Sequence, residues 1–200
     1  MPSKIGIFGG TFNPIHLGHL IVADDVLCKF KLDKIIFIPS YLPPHKVIKD
    51  TNAKHRYKMV KLAISKNPNF KISPVELNRK GKSYSIDTVK YIQKLYKNKA
   101  HIFFILGVDA MQEIHTWKNF NELVDICHFI VVSRPGYDTL HLKKKIAKYL
   151  DSTEKVHFMK VTHTNISSTE IRVRIKTGKN IKCLVHSDVE KYIYQHKLYV

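Results

Sequence analysis

Two histidines three residues apart, His16 and His19, follow a glycine-ended apolar run in the stretch GIFGGTFNPIHLGHL, residues 6–20. At that spacing on a helix start, both imidazoles can face the same side near the N-terminus, where unpaired amides and the helix dipole favour an anion. Gly9 and Gly10 end the run without side chains, so phosphate can approach the backbone there, and Gly18 between the histidines leaves room for it. The chemistry suggested is the binding of nucleotide phosphates. Taken alone, the pair also fits a capped helix start or a metal site. Zinc would want a third or fourth ligand, and the motif holds no Cys, Asp or Glu. The dinucleotide fingerprint G-x-G-x-x-G and the Walker G-K-[ST] are absent, and the second apolar run ends in IPS with no acid to hold a ribose.

A second stretch, ISSTEIR at 166–172, has Ser167 and Glu170 at the spacing of a capping box. The same helix start offers its amides, the Thr169 hydroxyl and the Arg172 guanidinium to a triphosphate. Two phosphate-type motifs about 150 residues apart must then be brought together by the fold.

The elements that could do so are legible as apolar runs alternating with helical periods, the pattern of a parallel sheet covered by helices. Strands are expected at 4–9, 34–39, 70–76, 101–107, 128–133 and 155–161. Helices are expected near 17–30, 53–66, 86–97, 109–115, 120–126, 140–150, 168–177 and 187–196. No repeat, low-complexity tract or linker divides the chain, so residues 1–200 read as one domain. The loops PSYLPPHKVIKD and NRKGKSYS follow strands two and three. They should meet the loop after strand one beyond the carboxyl ends of the strands.

Composition narrows the class. The sequence has 34 Lys plus Arg against 16 Asp plus Glu, a formal net charge of +18 that would suit a polyanionic partner. Only five of the basic residues are Arg, and the lysines show none of the arginine and aromatic interleaving of single-strand binding. The charge therefore reads as a solvated lysine surface, with nucleic acid not expected as a partner. Arg56, Arg134 and Arg172 stand in motif positions, which suggests specific contacts. No apolar run is long enough to span a membrane and no signal peptide opens the chain, so a soluble cytoplasmic protein is expected. Cys28, Cys127 and Cys183 are too far apart for a disulfide framework or zinc site and read as reduced thiols.

GGTFNPIHLGH resembles the signature of the nucleotidyltransferase superfamily that shares an H-x-G-H motif. PPHK (43–46), AKHRYKMVKLAI (53–64), GKSYSIDTV (81–89), ILGVDAMQEIHTW (105–117) and VSRPG (132–136) narrow the resemblance, almost end to end, to the bacterial nicotinate-nucleotide adenylyltransferases. That family makes deamido-NAD from nicotinate mononucleotide and ATP. The resemblance implies a Rossmann-like parallel sheet with helices on both faces and a small C-terminal helical portion. Phosphopantetheine adenylyltransferases share the opening signature but lack the SYSIDT and GVDAMQEIHTW stretches. A nicotinamide-preferring adenylyltransferase would share nearly every motif and remains open here. The same fold as a nucleotide sensor should have lost the histidines.

By the same resemblance, Gly9, Gly10, Thr11, Phe12, His16, Gly18, His19, Arg134, Ser168, Thr169 and Arg172 surround ATP. Lys46, Tyr84, Ser85, Gly107, Asp109 and Trp117 take nicotinate mononucleotide, with Trp117 stacked on its ring. Tyr84 could instead be a core aromatic, Lys46 surface charge, and Asp109 a helix N-cap. The implied reaction is attack of the mononucleotide phosphate on the α-phosphorus of ATP. That nucleophile is already an anion and needs no base. His16 and His19 would be the catalytic groups, hydrogen-bonding phosphate oxygens, with the negative charge of the site favouring their protonated forms. Mg2+ would travel mainly on the ATP phosphates, with no protein ligand assigned. Two departures from the family pattern, Asn13 for the usual Asp and Ser85 for the common Thr, keep the turn geometry and the hydroxyl. A homo-oligomer is compatible with the sequence, which does not set the oligomeric state.

Overall fold

A computed structural model of the chain describes residues 2–42, 51–133, 139–150, 152–162 and 165–200. Six parallel strands form one sheet: β1 (Ser3–Gly10), β2 (Lys34–Pro39), β3 (Phe70–Ile72), β4 (Ala100–Gly107), β5 (His128–Ser133) and β6 (Val156–Lys160), in the order β3-β2-β1-β4-β5-β6. The strands read as near-continuous apolar runs because both faces of the sheet are covered. Alternation splits them between two cores. Ile5 and Ile7 of β1, and Ile102, Phe104 and Leu106 of β4, enter one core, while Phe8, Phe103 and Ile105 enter the other.

Helices α1 (Leu17–Phe30), α2 (Ala53–Ala63), α8 (Ser168–Lys176) and α9 (Ser187–Gln195) contribute Val26, Met59, Ile171 and Val189 to the core on the Phe8 side. The opposite core takes Val75 of α3 (Val75–Arg79), Val89 of α4 (Ser85–Leu95), Met111 of α5 (Val108–Gln112), Leu123 of α6 (Phe120–Ile126) and Leu142 of α7 (Thr139–Ile146). A single 3-10 turn, Ile114–Thr116, follows α5. The doubly wound, Rossmann-like arrangement and the C-terminal helices agree with the sequence reading.

One segment departs from it. The strand expected over 70–76 stops at Ile72, and Val75–Arg79 is helix. Ser73 makes the last main-chain bond to β2, donating to the Phe37 carbonyl at 3.0 Å. Pro74 has no N–H to continue a ladder but its fixed φ suits the entry to a helix. Glu76 and the start of NRKGKSYS thereby change from strand and loop to helix.

Strand order reverses between β1 and β4. Gly9 and Gly10 of β1 pair with Ile38 and Pro39 of β2, while β4 flanks β1 on the other side and ends at Gly107. The crevice outside this switch point is where an open parallel sheet binds ligands. Among the described residues no helix is long and apolar enough to cross a membrane. The three thiols are free; Cys127 is buried, and burial pushes it up to about 12.

Candidate active site

The loop after β1 is built around an aromatic floor. Phe12 adopts a left-handed φ of 48°, a conformation rare for a residue with a Cβ. Its ring is 2% exposed and stands edge-on to Phe8 at 5.7 Å and to His19 at 5.1 Å. Gly10 makes this possible, because a Cβ there would lie 2.9 Å from the Phe12 ring. At Gly9 a Cβ would meet only the Phe104 ring at 3.6 Å, an ordinary contact. The Phe12 side chain is thus part of the core beneath the histidines, and its peptide groups are what it can offer a nucleotide.

His16 is the N-cap residue of α1, and its ring is buried. His19 lies in the first turn with its ring centroid 3.7 Å from that of His16, so the sequence spacing does place both imidazoles together. The His16 main-chain N–H donates to His19 Nδ1 at 3.3 Å. A neutral imidazole that accepts at Nδ1 carries its proton on Nε2 and keeps that N–H as a donor. Burial, and after it the charge of His16, hold His19 well below its ordinary 6.5. A cation beside a second imidazole is poorly solvated there, so the protonated pair expected from the sequence depends on the phosphate charge invoked for it. The helix-cap reading of the pair is met, and the cap bond is what sets the His19 tautomer. Among the described residues no group of three or more His, Cys, Asp or Glu side chains gathers as metal ligands.

The rest of the loop is clamped through its carbonyls. Arg56 of α2 donates to the Thr11 carbonyl at 2.7 Å, Arg172 of α8 to that of Asn13 at 2.8 Å, and the Ser168 hydroxyl to that of Pro14 at 2.8 Å. The Asn13 side chain accepts from the Tyr199 hydroxyl at 2.8 Å. Leu17 N–H donates to the Leu184 carbonyl at 2.9 Å. In ISSTEIR, the Ser167 hydroxyl caps α8 by accepting from Glu170 N–H at 3.1 Å, one half of the expected capping box. The Glu170 carboxylate turns instead to Arg174 Nε at 3.1 Å. The fold does bring the two motifs together. Two groups expected around ATP, Ser168 and Arg172, hold the loop of the other motif, and Arg172 also donates to the Thr169 hydroxyl at 3.3 Å.

On the β4 side, Tyr84 is the N-cap residue of α4 and Ser85 its first residue. Trp117 stands edge-on to Phe104 at 5.9 Å, and the same Phe104 ring borders Gly9, so one aromatic links the two halves of the crevice. Lys118 lies 4.7 Å over the Tyr84 ring. Tyr84 is half-buried and packed against the core rather than enclosed in it. Gly107 is the N-cap residue of α5, with open space where a Cβ would be, and Asp109 is exposed in the first turn. The N-cap alternative for Asp109 is corrected, since Gly107 holds that position and a polar side chain two residues later is not the cap. Lys46 and Arg134 lie outside the described residues.

Sequence reasoning missed three groups that shape the site. Tyr199 and Leu184 carried no signal. Glu76 sits buried in α3, its carboxylate bonded by the Ser83 and Thr88 hydroxyls, the latter at 2.7 Å. Burial raises the Glu76 carboxyl, while those hydroxyls and the charges of Arg79 and Arg56 oppose the rise.

Comparison with known proteins agrees with this geometry. The cytidylyltransferase-like family model matches residues 7–174. The nicotinate-nucleotide adenylyltransferase of Bacillus subtilis is 41% identical over 197 residues, covering 98% of each chain. A Thermoanaerobacter sp. protein named "Probable nicotinate-nucleotide adenylyltransferase" is 44% identical over 198 residues, 98% of this chain and 94% of the relative. The fold is that of the Plasmodium falciparum nicotinic acid mononucleotide adenylyltransferase solved with NaAD, which superposes with a TM-score of 0.79 at 23% identity over 98% of this chain and 97% of the other. With its signature loop, paired imidazoles and switch-point crevice so matched over nearly its full length, the chain belongs to the cytidylyltransferase-like family and, within it, to the nicotinate-nucleotide adenylyltransferases.

Proposed function

We propose that the chain, acting as one domain, transfers the adenylyl group of ATP to nicotinate mononucleotide, giving deamido-NAD and pyrophosphate. The observation that carries the mechanistic reading is the His16 N–H to His19 Nδ1 bond, which leaves a neutral imidazole with an Nε2–H donor at the start of α1. One mononucleotide phosphate oxygen forms a bond to the α-phosphorus of ATP as the bond to the β-phosphate bridging oxygen breaks. The electron pair leaves with pyrophosphate. No proton has to be removed from the nucleophile, so the protein's task is to align two polyanions and offset their repulsion.

His19 and His16 serve this as phosphate donors, with the α1 dipole behind them. Gly9, Gly10, Thr11 and the Phe12 backbone form the nucleotide side together with Gly18, Ser168, Thr169, Arg172 and Arg134. Lys46, Tyr84, Ser85, Gly107, Asp109 and Trp117 form the mononucleotide side. Mg2+ would accompany ATP and would offset the charge of its phosphates; the motif offers N–H donors rather than a carboxylate set, so no residue of the chain is assigned to hold it. Amides at the α4 start suit a pyridine carboxylate better than a neutral amide.

The test is pyrophosphate release with ATP and either mononucleotide. Losing charge-assisted bonds to the carboxylate is worth roughly 1.5–3 kcal/mol, so kcat/KM should favour nicotinate mononucleotide by at least about tenfold. Equal values for the two mononucleotides reject the nicotinate assignment.

A further inference from the structure

Arg56 is 1% exposed, in the first turn of α2, whose N-cap Asn52 accepts from His55 N–H at 3.0 Å. A cation gains nothing from a helix N-terminus, where the dipole is positive. Among the described residues its guanidinium reaches main-chain carbonyls only, Thr11 at 2.7 Å and Tyr41 at 3.2 Å, and its Nε has no hydrogen-bond partner. Burial pulls it down from its ordinary value, against the influence of Tyr199 and Glu76. Two neutral acceptors repay little of what it costs to take a guanidinium out of water, and an apolar side chain of similar volume would serve packing as well or better. The residue is therefore explained by what it holds in place.

Thr11 belongs to the loop after β1. Tyr41 follows β2, and its N–H donates to the Ser83 hydroxyl at 3.0 Å, while Ser83 N–H donates to the Leu42 carbonyl at 3.0 Å. The Ser83 hydroxyl in turn bonds the buried Glu76, and Tyr84 and Ser85 come next in the chain. A continuous run of bonds thus joins the carbonyl of Thr11, through Arg56, to the start of α4. We propose that Arg56 is a positioning residue: its planar fork sets the nucleotide loop at a fixed distance from the mononucleotide segment, so that occupation of one favours occupation of the other. This rests on the reading above of which loop takes which substrate. A planar fork with two donors can span two carbonyls, whereas a single ammonium cannot hold both in one geometry.

The experiment compares the full-length protein with R56K and R56M. Titration calorimetry measures nicotinate mononucleotide binding with and without a non-hydrolysable ATP analogue, alongside kcat, KM and thermal melting. In the unsubstituted protein the analogue tightens mononucleotide binding. R56K, which keeps charge and stem, melts near the parent temperature and binds each ligand alone within a few-fold of it. It loses the tightening, and its kcat falls by about 10²-fold, the scale for a misplacement of about 1 Å. R56M loses the tightening too. The inference is overturned if R56K keeps both parental coupling and kcat, if the unsubstituted protein shows no coupling, or if both variants lose activity only in proportion to the fraction unfolded. Failure of the unsubstituted protein to release pyrophosphate would instead overturn the proposed function.

Discussion

Tyr199 donates its hydroxyl hydrogen to Asn13 Oδ1 at 2.8 Å across 186 residues of sequence, so the segment after α9 braces the turn that carries the nucleotide motif. Both side chains are buried, at 3% and 8% exposure. An amide oxygen accepts this bond as a carboxylate would. Tyr199→Phe strips Asn13 of this donor inside the core, which costs about 1–3 kcal/mol. Denaturant unfolding should register that loss, and KM for ATP should rise; an unchanged midpoint would mean the hydroxyl braces nothing.

His19→Ala should lower kcat by about 10²–10³, the range for losing one donor to developing charge, while leaving the circular dichroism and melting profile close to those of the parent. The ring does pack on Phe12, so a modest loss of stability accompanies it. A folded variant with parental turnover would remove His19 from the chemistry.

Trp117 is the only tryptophan, so its emission reports one position. With an edge on Phe104 and only partial burial, its ring can still meet a ligand. Stacking on a pyridinium is worth about 1–3 kcal/mol by analogy with bases on aromatic side chains. Nicotinate mononucleotide should quench the emission saturably and ATP should do so less. Trp117→Ala should weaken mononucleotide binding and leave ATP binding nearly intact. Equal loss of both, or emission indifferent to the mononucleotide, would make Trp117 a packing residue.

Acid should destabilise the fold through its histidines. Burial, then His16, lowers His19; burial, then His157, Lys155 and His101, lowers His128; burial lowers His157. A histidine depressed in the folded state stays neutral there while the unfolded chain binds a proton below about 6.5, so stability is full above that value and falls as pH drops beneath it. Glu76, raised by burial, works in the opposite sense as pH drops toward 4.5. Melting temperatures from about pH 8 to about pH 5 for the parent and for His128→Gln/His157→Gln cancel the Glu76 part. The variant's slope should be the shallower; matching slopes would show that this pair carries none of the dependence.

Much of the architecture is written in local pattern. Apolar runs mark the six strands, and the ends of α1 and α8 follow from the residues that cap them, because these features depend on neighbours within a turn or on a period of two. The placement of both motifs at one crevice also follows, since a parallel sheet gathers its strand ends on one side. The end of β3 at Ile72 is also local in origin, since Pro74 two residues on has no N–H to continue a ladder.

The sequence by itself determined the paired histidines, the glycine-ended first strand and the strands and helices on which the two motifs stand. Tertiary structure alone decided that Arg56 spends its fork on Thr11 and Tyr41, that Tyr199 closes on Asn13, and that desolvation lowers His19 from its ordinary range. The reason is physical. A buried donor bonds whichever carbonyl the packing leaves beside it, and the charge on an imidazole depends on how much water the surrounding layers remove. Both depend on residues tens to hundreds of positions away, which no local window contains.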